Sequence, residues 1–211
     1  MPVPVPDQQD KQSFILFKMI MVKTKLPAIG FTLLEAITVL CIMAVLASIA
    51  TPAVLRWVAD YRLKHAALDL FSNFQFARMR AIQTSSEYGI IFHVQTGEYH
   101  LVSGGKNKRF EGGNAAGDDV IEKKVSLSGY GGGVRYGYGR ADKKATAGGG
   151  GFTAGDEISY PDDMAEFNSQ GMSNRMGYVY LENSRKSAYA ISTPTLAGVV
   201  SIKSWGGGHW Q

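Results

Sequence analysis

The stretch PAIGFTLLEAITVLCIMAVLASIATP, residues 27–52, decides how this chain is organised. From Phe31 to Ala50 it holds twenty residues with a single charge, on Glu35. At about 1.5 Å per residue, a helix of that length crosses the roughly 30 Å hydrocarbon layer of a bilayer. A buried core helix is the alternative, but a helix that is apolar on all sides favours a membrane span. We therefore predict that residues 31–52 form the membrane half of a helix.

The residues on either side of the apolar run predict its orientation. Lys18, Lys23 and Lys25 precede it, and an excess of cations keeps that end of a membrane helix in the cytoplasm. The remainder of the chain is then exported. A cleaved secretory signal has similar anatomy, with residues 47–50 as a weak cleavage site. The helical pattern that continues after Pro52 favours an anchor that is not cleaved there.

Composition limits the function classes that remain. The 211 residues and 45% hydrophobic content suffice for one globular domain beside the membrane segment. The net charge of +4 is smaller than the strongly basic balance of general nucleic-acid-binding proteins. The one cysteine, Cys41, lies inside the apolar run, which excludes an intrachain disulfide framework and a cysteine-based zinc site.

Beyond Pro52 the helical pattern continues but becomes amphipathic. Apolar residues recur at steps of three and four, which places them on one stripe of a helix. Polar residues such as Asn73 and Arg78 fall largely off this stripe. We predict one helix over about residues 31–84 whose second half packs on a sheet, with a coiled-coil seam as the alternative. The stripe consists of Leu63, Ala67, Leu70, Phe74, Ala77 and Ala81.

After residue 85 the periodicity changes from helix to strand. Residues 95–97 should form a hairpin turn between the first two strands, and residues 183–187 a turn between two later ones. Sixteen of the 25 glycines lie between Gly104 and Gly155, so that stretch should be loops around short strands. The predicted class is α+β, a long N-terminal helix packed on antiparallel β-sheets. The predicted strands are YGIIFHV, EYHLV, DVIEKKVSL, GYVYLEN, SAYAIST and GVVSIKSW, beginning at residues 88, 98, 119, 177, 187 and 198.

The start of the apolar run has a glycine, a phenylalanine and a glutamate at fixed spacing. Gly30 and Phe31 are followed by Glu35 and then by the full apolar span. This arrangement resembles the class III signal of type IV pilins and type II secretion pseudopilins. The resemblance implies that residues 1–30 are a leader, that a prepilin peptidase cuts between Gly30 and Phe31, and that Phe31 is then N-methylated. It also implies an assembly contact for Glu35 and a helix kink at Pro52.

The leader departs from the family pattern in its length. Thirty residues precede the cleavage point, whereas family leaders are commonly short and basic. A start at Met21 would give the ten-residue leader MVKTKLPAIG, which is more usual. The sequence leaves both starts open.

Two later stretches are similar to the GspH/FimT group of minor pseudopilins. Near the predicted helix end, Ala77-Arg78 and Ala81-Ile82 precede the first strand. Further along, Phe167 and Gly171 form a Phe-x-x-x-Gly turn followed by a hairpin. Residues 198–200 read Gly-Val-Val where many members have Gly-Arg-Val.

The resemblance implies a pilin-like fold and a non-enzymatic role without a cofactor. The chain would be a minor pseudopilin of a type II secretion system or a type IV pilus, anchored once in the bacterial inner membrane, with residues 53–211 as its periplasmic domain. Its implied partners are the prepilin peptidase, other pseudopilins or pilins, and the inner-membrane assembly platform. A DNA-binding minor pilin for DNA uptake is the first alternative, although the terminal strand offers only Lys203 as a cation. A membrane-anchored protein that is never assembled is the second.

Two groups of residues suggest metal binding without establishing it. His93 and His100 flank the predicted hairpin and could face each other, but two hairpin histidines are more often surface residues than a metal site. Four acids near Pro161 could supply calcium ligands, although acids in turns are more often solvated. We therefore predict no metal site. The four acids are Asp156, Glu157, Asp162 and Asp163.

Aromatic residues alternate with cations in GYGGGVRYGYGR, residues 129–140. Proteins that stack nucleic-acid bases use such combinations. A flexible loop at a sheet edge is the simpler interpretation, and it is the one that we favour.

Overall fold

The computed structural model describes residues 31–113 and 117–211. The predicted leader, with Gly30, lies outside the described residues. The chain divides into two compact units, one ending at Ser48 and the other spanning Ile49–Gln211.

The predicted long helix is confirmed as α1, Leu33–Thr84. Thr32 caps its start, because its Oγ1 accepts a hydrogen bond from the Glu35 amide at 3.2 Å. At the other end Ser85 has a positive φ of 50°, and the Ser86 amide donates to the Ala81 carbonyl at 3.2 Å. A left-handed residue after the last turn is a common way to end a helix.

The first half of α1 is apolar and exposed on all sides. An 18-residue window of α1 has a mean hydropathy of 2.4, and none of it is buried within the structure. Among the described residues, α1 is the one helix that is long and apolar enough to cross a membrane.

Within the second unit, the strands form two antiparallel sheets. The first sheet has the order β3-β2-β1-β5 and the second β4-β6-β7-β8-β9. Short 3₁₀ turns cover Leu127–Tyr130 and Pro161–Asp163. The strands are β1 Tyr88–His93, β2 Glu98–Ser103, β3 Val120–Ser126, β4 Arg135–Tyr136, β5 Met164–Phe167, β6 Gly177–Glu182, β7 Ala188–Thr193, β8 Ser201–Gly206 and β9 His209–Trp210.

All six predicted strands are present, and the structure adds three that the sequence did not predict. The added strands are β4, β5 and β9, of two, four and two residues. Runs this short show too little alternation to be recognised before their partners are known. The predicted α+β class, with a long N-terminal helix packed on antiparallel sheets, is confirmed.

The core lies between α1 and the sheets. Every residue of the predicted stripe, from Leu63 to Ala81, is fully buried. The ring of Phe74 lies 6.1 Å from that of Phe92 and 6.2 Å, edge-on, from that of Phe167. The stripe therefore packs on the first sheet, and the coiled-coil alternative is wrong for this surface.

Asn73 departs from the prediction that it lies off the buried stripe. It is only 6% exposed, because a polar network holds it between α1 and the first sheet. Its Nδ2 donates to the Tyr99 hydroxyl at 2.7 Å, and its Oδ1 accepts from Lys123 Nζ at 3.0 Å. A buried amide with both of its ends hydrogen-bonded avoids most of the cost of its desolvation.

A second polar contact fixes α1 to the turn between β6 and β7. Asp60 Oδ1 accepts hydrogen bonds from Asn183 Nδ2 and Ser187 Oγ, both at 2.8 Å. Asp60 Oδ2 accepts from Arg185 Nη1 at 2.5 Å. One carboxylate thus holds three residues of the NSRKS turn.

We expect Asp60→Ala to lower the free energy of unfolding by about 1 to 3 kcal/mol, because it leaves the fully buried Asn183 without this partner. Asp60→Asn keeps an acceptor oxygen and should cost less. Urea unfolding of the detergent-solubilised chain, followed by tryptophan fluorescence, measures both. An Asp60→Ala protein as stable as the parent would show that this contact does not hold the turn.

Candidate functional site

Glu35 lies in the first turn of α1, at its third residue. Thr32 and Glu35 form the Thr-x-x-Glu pattern of a capping box, although only the bond from the Glu35 amide to Thr32 is seen. A carboxylate at this position also interacts favourably with the helix dipole. The capping role of Thr32 was readable in the sequence and was missed there. Both Phe31 and Glu35 are exposed. Among the described residues, no contact of either side chain tests its predicted role, so methylation of Phe31 and the assembly contact of Glu35 stay predictions.

Pro52 lies inside α1, and the helix continues through it. The Pro52 carbonyl accepts an additional hydrogen bond from Arg56 Nε at 3.1 Å. The predicted kink at this residue stays a prediction.

The two stretches that carried the GspH/FimT resemblance meet at the far end of α1, together with the terminal stretch that departs from the family pattern. Arg78 Nε donates to the Gly171 carbonyl at 2.9 Å, and Arg78 Nη2 donates to the Ala197 carbonyl at 3.4 Å. We call Arg78, Gly171, Ala197 and Gly198 the motif junction. The sequence placed Arg78 off the buried stripe and in the Ala-Arg pair, without predicting its partners. Its guanidinium joins the helix to two loops that lie about ninety to 120 residues further along the chain.

Both glycines of the motif junction are required by its geometry. Gly198 has a φ of +69°, and a Cβ there would lie 2.1 Å from the Gly171 carbonyl oxygen. Gly171 has a φ of +76°, and its Cβ would lie 2.6 Å from Ile82 Cδ1. Any side chain would push these loops apart and weaken their contact with Arg78.

Apolar side chains surround the motif junction. They project from the end of α1 and from the two loops, and each is between 42% and 56% exposed. Exposed apolar side chains that are grouped in this way are typical of protein-protein contact surfaces. We call this group the junction surface: Met79, Ile82, Met172, Leu196 and Val199.

The tyrosine-rich stretch 129–140 is tied to the rest of the second unit. The Tyr136 hydroxyl donates to the Glu98 carbonyl at 2.8 Å, and the Tyr130 hydroxyl donates to Asp69. The ring of Tyr138 stacks on Phe152 with centroids 4.0 Å apart. Residues 135 and 136 of the stretch form β4, at the edge of the second sheet, as predicted. The prediction of a flexible loop did not foresee the hydrogen bonds and ring stacking that hold the stretch in place.

Arg135, in the same stretch, is paired with a buried carboxylate. Glu182 is 5% exposed and accepts from Arg135 Nε at 2.7 Å, from Lys186 Nζ at 2.8 Å and from the Gly139 amide at 2.9 Å. Burial alone would raise the pKa of Glu182, but Lys186, Arg135 and the Gly139 amide together lower it below its ordinary value. No local pattern in the sequence pairs Arg135 with Glu182, which lies 47 residues further along the chain. Glu182 fixes the glycine-rich stretch to β6.

Two of the four acids near Pro161 have cationic partners. Asp156 pairs with Lys144 at 3.0 Å, and Asp162 pairs with Arg175 at 2.8 Å. Within residues 31–113 and 117–211, no group of three or more potential metal ligands comes together. Burial, followed by Asp162 and Glu157, raises the pKa of Asp163.

His93 and His100 do face each other, as the sequence allowed. His93 Nε2 lies 3.2 Å from His100 Nδ1. On the other side of the His100 ring, Nε2 lies 3.6 Å from Glu98 Oε2. Burial and then the His93 ring lower the pKa of His100 below its ordinary value.

The terminal strand β8 carries Lys203, the one cation there that the DNA-uptake alternative could use. Its Nζ donates to the Ala145 carbonyl at 3.1 Å. The ammonium is therefore engaged within the fold. Arg135 likewise has a protein partner, the carboxylate of Glu182.

The structure defines an α+β protein with a long apolar N-terminal helix and two antiparallel sheets. It resembles the minor pseudopilin EpsH from the type 2 secretion system of Vibrio cholerae, with a TM-score of 0.41 and 9% identity over 68% of this chain and 97% of that one. At this identity and TM-score, no function follows from the likeness. Neither the models of known protein families nor the curated proteins match the sequence.

Proposed function

We propose that this chain is a minor pseudopilin, a non-enzymatic subunit that is cut by a prepilin peptidase and built into a periplasmic fibre. Its apolar helix would first anchor it in the inner membrane, with the N-terminus in the cytoplasm and the sheet domain in the periplasm. After cleavage the helix would pack with those of other pseudopilins in the fibre. The sheet domain would then face neighbouring subunits or cargo.

The observation that carries the proposal is the register of Gly30, Phe31 and Glu35 at the start of an apolar helix. The structure supports it by starting α1 at Leu33 and continuing the same helix onto the sheets. A cleavable secretory signal does not require a helix that runs on into the folded domain.

The motif junction gives independent support. It brings Arg78 of the Ala-Arg pair into contact with Gly171 of the Phe-x-x-x-Gly turn, and the GspH/FimT resemblance rests on both of these motifs. The junction surface beside it would then be one place where another fibre subunit packs. This role is the same for a subunit of a secretion pseudopilus and for a subunit of a type IV pilus.

We expect Gly30→Leu to block removal of the leader, because a branched side chain at the cleaved bond would obstruct the peptidase. Ala28→Leu is the matched control, since it adds the same side chain two residues upstream and should be processed normally. Immunoblots of cells that express the prepilin peptidase would show the loss of thirty residues for a start at Met1, or of ten residues for a start at Met21. Normal processing of Gly30→Leu would contradict the proposal.

A further inference from the structure

The β1–β2 hairpin presents two imidazoles on one face of the first sheet. His93 is opposite Glu98, and His100 is opposite Ile91, so alternation places both rings on the same face. The intervening Phe92 and Tyr99 point the other way and are buried in the core. The His93 carbonyl accepts from the Gly97 amide at 2.9 Å, which closes the turn and fixes the separation of the two strands.

Contrary to the expectation from the sequence, we propose that His93 Nε2 and His100 Nδ1 together bind a divalent transition-metal ion. The two nitrogens are 3.2 Å apart, and the ring centroids are 4.4 Å apart. With metal–nitrogen bonds of about 2.0 to 2.1 Å, this spacing gives a nitrogen–metal–nitrogen angle of about 100°, which is near the tetrahedral value. The hairpin thus holds two ligands near the spacing that one ion requires.

Glu98 would be an outer partner of this site: its carboxylate would hydrogen-bond to the ligand His100 without binding the metal ion itself. Its Oε2 lies 3.6 Å from His100 Nε2, on the side of the ring away from His93. His100 Nε2 is buried and has no hydrogen-bond partner within the described residues. Ligating histidines usually turn their second nitrogen toward a carboxylate, which fixes the tautomer and makes the ligating nitrogen more basic. A small approach of Glu98 would complete that arrangement.

The donors narrow the choice of ion. Imidazole nitrogens suit Zn²⁺ and Cu²⁺, whereas Ca²⁺ and Mg²⁺ prefer oxygen ligands. No third protein ligand joins the pair within the described ranges, so water would complete the coordination sphere. Lys124 lies opposite His100 on β3, and its positive charge should weaken binding. Its side chain is exposed and can extend into solvent, which limits this effect.

The test is a titration of the full chain in detergent with Zn²⁺, measured by isothermal calorimetry. Any bound metal is removed from the protein before the titration. We expect one saturable site in the parent. His93→Gln and His100→Gln should each weaken binding by about tenfold or more, because each removes a ligand rather than an outer partner. The other two histidines supply matched controls, and His65→Gln and His209→Gln should leave the affinity unchanged.

Two further variants separate a metal site from a simple hydrogen bond between the rings. Glu98→Gln should weaken binding by less than the loss of either histidine, while Lys124→Gln should preserve or strengthen it. The absence of saturable binding in the parent would overturn the proposal. So would equal affinities of the His93→Gln and His65→Gln proteins. Circular dichroism of each variant would exclude loss of fold as the cause of weak binding.

Discussion

A fragment that begins at Ala59 should be soluble and should melt cooperatively, whereas a fragment that begins at Ser85 should aggregate. The longer fragment keeps the buried stripe of α1 and the Asp60 contact, and it sheds the exposed apolar residues before them. The shorter one uncovers the sheet face under Leu63, Leu70 and Phe74. Each of these side chains contributes roughly 1.5 to 3 kcal/mol through burial, and the exposed face would favour association.

Two phenylalanines on α1 provide a matched pair for the same test. Phe74 is fully buried, while Phe76 is 40% exposed. In the fragment from Ala59, Phe74→Asp should abolish cooperative melting, because it places a charge in the core. Phe76→Asp should leave melting largely intact. Equal solubility and melting of the Ala59 and Ser85 fragments would refute the packing of helix on sheet.

Replacing Glu35 should prevent assembly without preventing membrane insertion. A carboxylate near the end of a membrane helix costs less than the roughly 2.5 to 3.5 kcal/mol found at the bilayer centre, and such residues usually serve a function. In the proposed fibre it would pair with the amine of a cleaved Phe31. Loss of one partner of a buried ion pair costs about 3 to 5 kcal/mol, so Glu35→Leu should reduce fibre incorporation at least about tenfold.

Glu35→Gln distinguishes this role from helix capping. Glutamine also fits the capping box with Thr32, so a purely structural Glu35 would tolerate it. If the charge makes the assembly contact, both variants should be processed normally and both should fail to co-purify with fibre subunits. If the Glu35→Leu protein assembles normally, Glu35 does not make the assembly contact. If the Glu35→Gln protein assembles normally and the Glu35→Leu protein does not, the role of Glu35 is helix capping.

Periodicity made the main elements predictable. A helix with one buried face repeats its apolar residues every three to four positions, and the stripe from Leu63 to Ala81 did so without interruption. Strands such as β1 and β6 are rich in β-branched and aromatic residues, and turn residues bound them. These signals are local, so they can be read before any partner is known.

Contacts between distant residues could not be predicted in this way. The bonds of Asp60 with Asn183 and of Arg135 with Glu182 join residues 123 and 47 positions apart. Asn73 looks like a surface residue until Tyr99 and Lys123 supply its partners. The partners of Arg78 could not be predicted, because its acceptors are backbone carbonyls that no side-chain pattern identifies.

The mass of the mature chain tests the central proposal most directly. It should be measured on intact protein extracted from the membranes of cells with an active prepilin peptidase. The account predicts a chain that begins at Phe31 and carries one added methyl group. A chain that begins after Ala50, or one that keeps its leader in those cells, would contradict it.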